Sequence, residues 1–177
     1  VIARVPEAAE GDVDRAVEAA KAALAGPYPQ LSPAERAEYI TKLSQAIAAR
    51  SQEFADVITA EMGSPASFSL MGQVLAPTMV LDGWAELTKA YPFEEFRAGA
   101  LGPNLVRKEP VGVAAGIIPW NVPLFITSLK VGPTIASGST IVLKPAPETP
   151  LDANGIPRAS AVFAQCVGPF LCPRLKA

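Results

Sequence analysis

Two polar side chains stand at the ends of apolar runs, where a sheet would offer them to a ligand. Asn121 closes Gly116-Ile117-Ile118-Pro119-Trp120-Asn121, and Lys144 closes Thr140-Ile141-Val142-Leu143-Lys144. The amide can donate and accept hydrogen bonds, and the ammonium donates only. Much other chemistry is excluded. The chain has no histidine, which removes Ser-His and Cys-His nucleophile pairs, zinc sites built on histidine and a histidine pH switch. Its two cysteines, Cys166 and Cys172, cannot form a four-thiolate metal site and do not make a disulfide scaffold. No metal site is expected. No two glycines are separated by a single residue, and G-K-[ST] does not occur, so the common phosphate-cradling loops are absent.

The elements that would position Asn121 and Lys144 form a strand, helix, strand series. Val111 to Ile118 is a nearly continuous run of β-branched and small residues, which predicts a strand buried on both faces. Pro119-Trp120-Asn121 breaks it. Leu124 to about Ala136 predicts a helix weakened by Gly132 and Pro133, and Thr140 to Leu143 predicts a second buried strand. Two strands joined by a helix make one parallel crossover unit. Such sheets bind ligands at the carboxyl ends of their strands, which brings Asn121 and Lys144 to one edge.

Upstream, Asp12 reads as an N-cap with Val13, Ala16, Val17, Ala20 and Leu24 on one helical face, ended by Gly26-Pro27. Ser32-Pro33-Ala34-Glu35 combines a capping box with proline at the first helical position. Ala37, Ile40, Leu43 and Ile47 follow at helical spacing, and the pattern continues through Glu53 to Met62 and a C′ glycine at Gly63. Ser64-Pro65 predicts the cap of a third helix running to about Tyr91, kinked or broken near Pro77. Residues 93–97 and 104–109 predict the arms of a β-hairpin around a Gly99 to Pro103 turn. The expected class is α/β: residues 1–91 helical, 92–110 a hairpin, 111–152 the crossover, and 153–177 a divergent tail without clear periodicity.

Half of the 177 residues are hydrophobic and 18% are charged, which fits a folded domain rather than a disordered tail. A net charge of −2 argues against nucleic acid as a partner. From Pro110 to Leu143 the sole charge is Lys130, yet prolines and glycines interrupt the stretch, leaving no run of about 18 apolar residues for a membrane span. The first residues lack the pattern of a signal peptide and an initiating methionine. A cytoplasmic location and a chain cut from something longer are expected.

Three blocks carry a resemblance: Glu109-Pro110-Val111-Gly112-Val113, Gly116-Ile117-Ile118-Pro119-Trp120-Asn121-Val122-Pro123, and Ser139-Thr140-Ile141-Val142-Leu143-Lys144-Pro145-Ala146-Pro147-Glu148-Thr149-Pro150-Leu151. Together with Ser32-Pro33-Ala34-Glu35-Arg36 and Ala60-Glu61-Met62-Gly63, they closely resemble the NAD(P)-dependent aldehyde dehydrogenase superfamily over residues 1–152. The resemblance implies an incomplete aldehyde dehydrogenase fold. It would end in the first crossover of a Rossmann-like NAD(P) unit, with a hairpin similar to the family's oligomerisation element. It implies that Asn121 donates its amide to the oxyanion of the tetrahedral thiohemiacetal. Ile117, Ile118, Pro119 and Trp120 would wall the dinucleotide cleft, and Lys144 would hydrogen-bond the adenosine ribose. Some NAD-preferring members carry a glutamate three residues beyond that lysine, where this chain has Pro147, with Glu148 one place later. Tolerance of NADP beside NAD follows.

The family's second half of the nucleotide site, its general-base glutamate and its nucleophilic cysteine have no counterpart here. Ala164-Gln165-Cys166 echoes the last without its flanks. The resemblance therefore implies a truncated member that binds dinucleotide weakly or not at all and is inactive alone. Its tail resembles what a shifted reading frame produces. Two alternatives are one piece of a split enzyme, and a non-enzymatic module that joins family members through the hairpin.

Overall fold

Helix punctuation decides where the first half of the chain turns. The computed structural model describes Val5 and residues 8–153. Helix α1 (Glu10–Ala25) begins earlier than Asp12 suggests: the cap position is Ala9, and the Asp12 carboxylate accepts the Ala9 N–H at 2.7 Å from within the first turn. A carboxylate there still satisfies an otherwise orphaned donor and meets the positive end of the helix. A short 3₁₀ turn (Tyr28–Gln30) leads to α2 (Pro33–Ala49). Here the capping box forms as read: the Ser32 hydroxyl accepts from Glu35 N–H at 3.3 Å, and Ser32 N–H donates to the Glu35 carboxylate at 2.7 Å. α3 (Ser51–Met62) ends at Gly63, whose φ of 74° suits glycine.

The third helical stretch differs from expectation at its start and is interrupted, as expected, close to Pro77. Pro65, not Ser64, precedes α4 (Ala66–Leu70), and Ser64 is buried with its hydroxyl accepting from Gln73 Nε2 at 3.1 Å. The irregularity expected near Pro77 lies just before it: a π-helical turn (Met71–Leu75), where the Ala76 N–H donates to the Met71 carbonyl five residues back, separates α4 from α5 (Ala76–Ala90).

Strands β1 (Glu94–Arg97) and β2 (Asn104–Arg107) pair antiparallel, with Glu94 opposite Arg107 and an ion pair between them at 2.7 Å. β3 (Val113–Ile117) and β4 (Thr140–Lys144) pair in parallel across α6 (Pro123–Ser137), Val113 opposite Thr140 and Ile117 opposite Lys144. α6 runs through Gly132-Pro133 to Gly138, left-handed at φ 81°. Its apolar face meets α2, α5 and the inner face of the sheet, where Ile40, Ile47, Ile58, Leu81, Leu124, Val131, Ile141 and Leu143 lie almost wholly out of water. α1 covers the other face of β4, packing Ala16 and Ala20 on Val142, with the Thr140 hydroxyl donating to the Ala20 carbonyl at 3.0 Å.

Thr140 to Leu143 of β4 are therefore buried, as expected, but β3 is not. α1 reaches only its first residue, Val113; Ala115 is exposed and Ile117 is 68% exposed. The second cover that a doubly buried strand needs is absent among the described residues. Among those residues no helix is long and apolar enough to cross a membrane. The expectation for the tail lies, from residue 154 onward, outside the described residues.

Candidate functional site

Parallel register is what assembles the candidate edge. Because Ile117 lies opposite Lys144, both strands end at the same level, and the Ile118 N–H donates to the Lys144 carbonyl at 3.0 Å, carrying the ladder one step further. Ile118 points its side chain into the core at 3% exposure, while Ile117 on the opposite face stays open. Pro119, Trp120 and Asn121 form the exposed turn into α6. Lys144 is half-buried, and its ammonium donates to the adjacent Pro145 carbonyl at 3.2 Å. The structure thus gathers Ile117, Ile118 and Lys144 at one edge, with Pro119, Trp120 and Asn121 on the loop that leaves it.

A helix cap would be the ordinary use of an asparagine here. The cap position of α6 is instead Val122, with no side-chain cap, and Asn121 has no hydrogen-bond partner among the described residues. Its exposed amide remains available, beside the positive end of a 15-residue helix. This edge combines an exposed apolar surface (Ile117, Trp120), an ammonium donor and an amide donor. The donor set suits hydroxyl oxygens, the apolar faces suit a flat ring, and Asn121 suits an oxygen that gains charge. These residues fit one half of a dinucleotide site. Among the described residues no cluster of acids, cysteines or histidines could hold a metal.

A groove of about 930 Å³ lies at the other end of the sheet, lined by Arg36, Tyr91, Phe93, Pro110, Gly112 and Ser137 among others. Gly112 precedes β3 and Ser137 ends α6, so this groove contains none of the candidate residues. It marks instead the root of the hairpin. There Arg36 Nε donates to the Ala136 carbonyl at 2.9 Å and Nη1 to the Leu31 carbonyl at 2.7 Å. Burial lowers the Arg36 pKa, opposed by Tyr28. The Tyr28 hydroxyl donates to the Ser139 carbonyl at 3.0 Å. Arg36 thus answers one of the carbonyls at the end of α6 that a helix leaves unpaired, and Tyr28 answers the carbonyl two residues beyond that end.

Sequence reasoning missed a second pair. Glu61, near the end of α3, accepts the Leu151 N–H at 2.6 Å and the Asp152 N–H at 3.3 Å, one on each carboxylate oxygen. Burial raises the Glu61 pKa, and the two backbone bonds oppose that rise. Asp152 is 1% exposed, and among the described residues neither carboxyl oxygen has a well-formed hydrogen bond. Burial, and then the charge of Glu61, push its pKa up to about 8. Nothing local in the sequence joins residues so far apart: the Ala60-Glu61-Met62-Gly63 block carries part of the family resemblance but does not say what the glutamate grips.

Comparison with known proteins agrees with this geometry. The family model for the aldehyde dehydrogenase family matches residues 1–161. A 2-hydroxymuconic semialdehyde dehydrogenase of Pseudomonas sp. strain CF600 is 39% identical over 155 residues, 85% of this chain and 32% of that protein. The NAD-dependent aldehyde dehydrogenase of Sinorhizobium meliloti superposes with a TM-score of 0.85 at 34% identity, over 93% of this chain and 33% of that one. The Mycobacterium tuberculosis aldehyde dehydrogenase solved with NAD+ gives a TM-score of 0.84 at 40% identity, over 94% and 34%. The chain spans about a third of the length of these relatives. Its matched residues, its parallel crossover and its two-donor edge lead to one assignment: the chain belongs to the aldehyde dehydrogenase family.

Proposed function

We propose that this chain provides the amino-terminal face of an NAD(P)-dependent aldehyde-oxidising site: Lys144 for the adenosine ribose, Ile117, Ile118, Pro119 and Trp120 for the cleft wall, and Asn121 for the oxyanion. One observation carries the reading, the register that sets Ile117 opposite Lys144 with Asn121 on the adjoining turn. When bound, the dinucleotide supplies a hydride acceptor. The chain's own contribution is positional. The Lys144 ammonium donates to ribose hydroxyl oxygens, and Ile117 and Trp120 exclude water from the ring faces. The Asn121 amide donates to the carbonyl oxygen as a nucleophile adds to it. A donor so placed typically lowers such a barrier by about 2.7–4 kcal/mol. The complex of the Mycobacterium tuberculosis relative with NAD+ supports the choice of ligand. Pro147 at the third position after Lys144 removes a carboxylate from that place, so NADP is accepted beside NAD.

The 177-residue chain alone offers half of that cleft, so dinucleotide binding is weak. Calorimetric titration with NAD+ and NADP+ tests it. Any heat of binding should drop about 10-fold or more in affinity on Lys144→Ala, as for loss of a charged hydrogen bond. Micromolar binding unchanged by that substitution would contradict the assignment. The hairpin's Phe96 and Leu101 are 77% and 105% exposed, which supports a role in association with further family chains. Size-exclusion chromatography of the chain mixed with a full-length relative checks that role, and elution as two separate species would reject it.

A further inference from the structure

We propose that Glu61 and Asp152 form a proton-operated latch that holds the segment following Lys144 against α3 at neutral pH and releases it in mildly alkaline solution. The geometry comes first. β4 ends at Lys144, and the chain then runs through Pro145 to Pro150 to a helical turn at residues 151–153. That turn is held to α3 by both oxygens of Glu61, on the N–H groups of Leu151 and Asp152. Among the described residues, three oxygens within the same turn are shut off from water without a well-formed hydrogen bond: the Thr149 hydroxyl and both carboxyl oxygens of Asp152. A buried carboxylate helped only weakly by neighbouring backbone N–H groups, and facing a second carboxylate, is costly, whereas a buried carboxylic acid is tolerable. The closed arrangement therefore requires a proton on Asp152.

The sign follows from that requirement. Among the described residues the charged group acting on Asp152 is Glu61 of α3, and it raises the pKa; the backbone N–H groups of Asp152 and Ala153 act the other way and are weaker. A carboxyl whose folded pKa lies above its unfolded one binds its proton more tightly when folded. Its closed state is fully stable in acid and weakens as the pH climbs from the ordinary aspartate range toward about 8. Above that value the turn must carry a second negative charge against Glu61, or swing out and break both backbone bonds. Swinging out exposes Asp152 to water and frees the root of the Lys144 loop. The latch rests on the burial of Asp152 and the grip of Glu61 on the turn; its consequence for a ligand rests on the dinucleotide reading of Lys144.

Backbone amide NMR of the labelled 177-residue chain, titrated from about pH 6 to about pH 9.5, tests it. The Leu151 amide, bonded to a carboxylate, should move upfield and lose exchange protection with a midpoint near 8. Asp152→Asn should hold the closed signal throughout. Glu61→Gln keeps an acceptor but removes the charge, so its transition should fall to lower pH. A Leu151 amide that does not titrate in the wild type, or one that titrates identically in the Glu61→Gln chain, would overturn the latch. A latch that titrates as expected in a chain that binds neither NAD+ nor NADP+ at any pH supports the latch and removes the reading of Lys144 instead.

Discussion

The guanidinium of Arg36 lies beneath the ring of Phe93, 4.8 Å from its centroid, while answering the carbonyls of Leu31 and Ala136. One side chain thereby ties the start of α2, the end of α6 and the root of the hairpin. Arg36→Met keeps the apolar stem and removes the donors. With hydrogen bonds from a charged group each worth about 1.5–3 kcal/mol, and two carbonyls left dry, a loss of about 2–3 kcal/mol is expected. Urea unfolding should show a lower midpoint at unchanged slope, and Arg36→Lys should recover part of it. A midpoint within error of the wild type would show that water replaces the guanidinium. Residues of this kind are hard to read from a sequence. In Ser32-Pro33-Ala34-Glu35-Arg36, the first and fourth residues announce a cap by local rules, whereas nothing local says that the arginine turns inward. The placement of Asn121 and Lys144 beyond strand ends was legible because strand ends are positions that pattern alone can find. Glu61 and Asp152 were not, because their meeting depends on how α3 lies against the exit of β4.

Helix α6 shows the same division at the scale of elements. Gly132 and Pro133 read as weaknesses, yet the helix continues through both. The reason is a partner the pattern cannot show: a Cβ on Gly132 would stand 2.5 Å from Trp84 Cδ1 and 3.2 Å from Trp84 Cβ. Glycine lets α5 and α6 approach closely enough to share their core. Helix propensity alone favours Gly132→Ala by about 1 kcal/mol. Overpacking typically costs about 1–3 kcal/mol, and here the near contact includes the rigid base of the indole rather than its tip alone. The clash should win, lowering the thermal midpoint and shifting the Trp84 emission. A stabilised variant would mean that the helices part without cost. The strands carry a complementary lesson. Val111 to Ile118 is apolar enough for burial on both faces, but composition records what a strand can tolerate, and coverage depends on how far α1 extends. β3 keeps its outer face open where Ile117 meets the candidate edge.

At the scale of the whole molecule, the described residues build a helical body, a hairpin and one parallel crossover, in a chain about a third the length of its relatives. The catalytic consequence can be argued from chemistry. In the role proposed for it, Asn121 would stabilise an oxyanion only after a nucleophile has attacked the aldehyde carbon, so the amide without an activated thiolate would contribute nothing to rate. In this chain the two thiols are Cys166 and Cys172, with no histidine to raise their thiolate fraction. Their surroundings in sequence, Ala164-Gln165-Cys166-Val167 and Leu171-Cys172-Pro173, do not reproduce the family's cysteine segment. Loss of an activated nucleophile typically costs about six orders of magnitude in turnover, and half a dinucleotide cleft cannot restore it. The purified 177-residue chain is therefore expected to give no NAD(P)H absorbance above a blank with short aliphatic, long aliphatic or aromatic aldehydes. Cys166→Ser and Cys172→Ser should leave that baseline where it is. Turnover that vanishes in either serine variant would mean that one of these cysteines serves as the nucleophile, and the division of labour proposed for this chain would have to be redrawn around it.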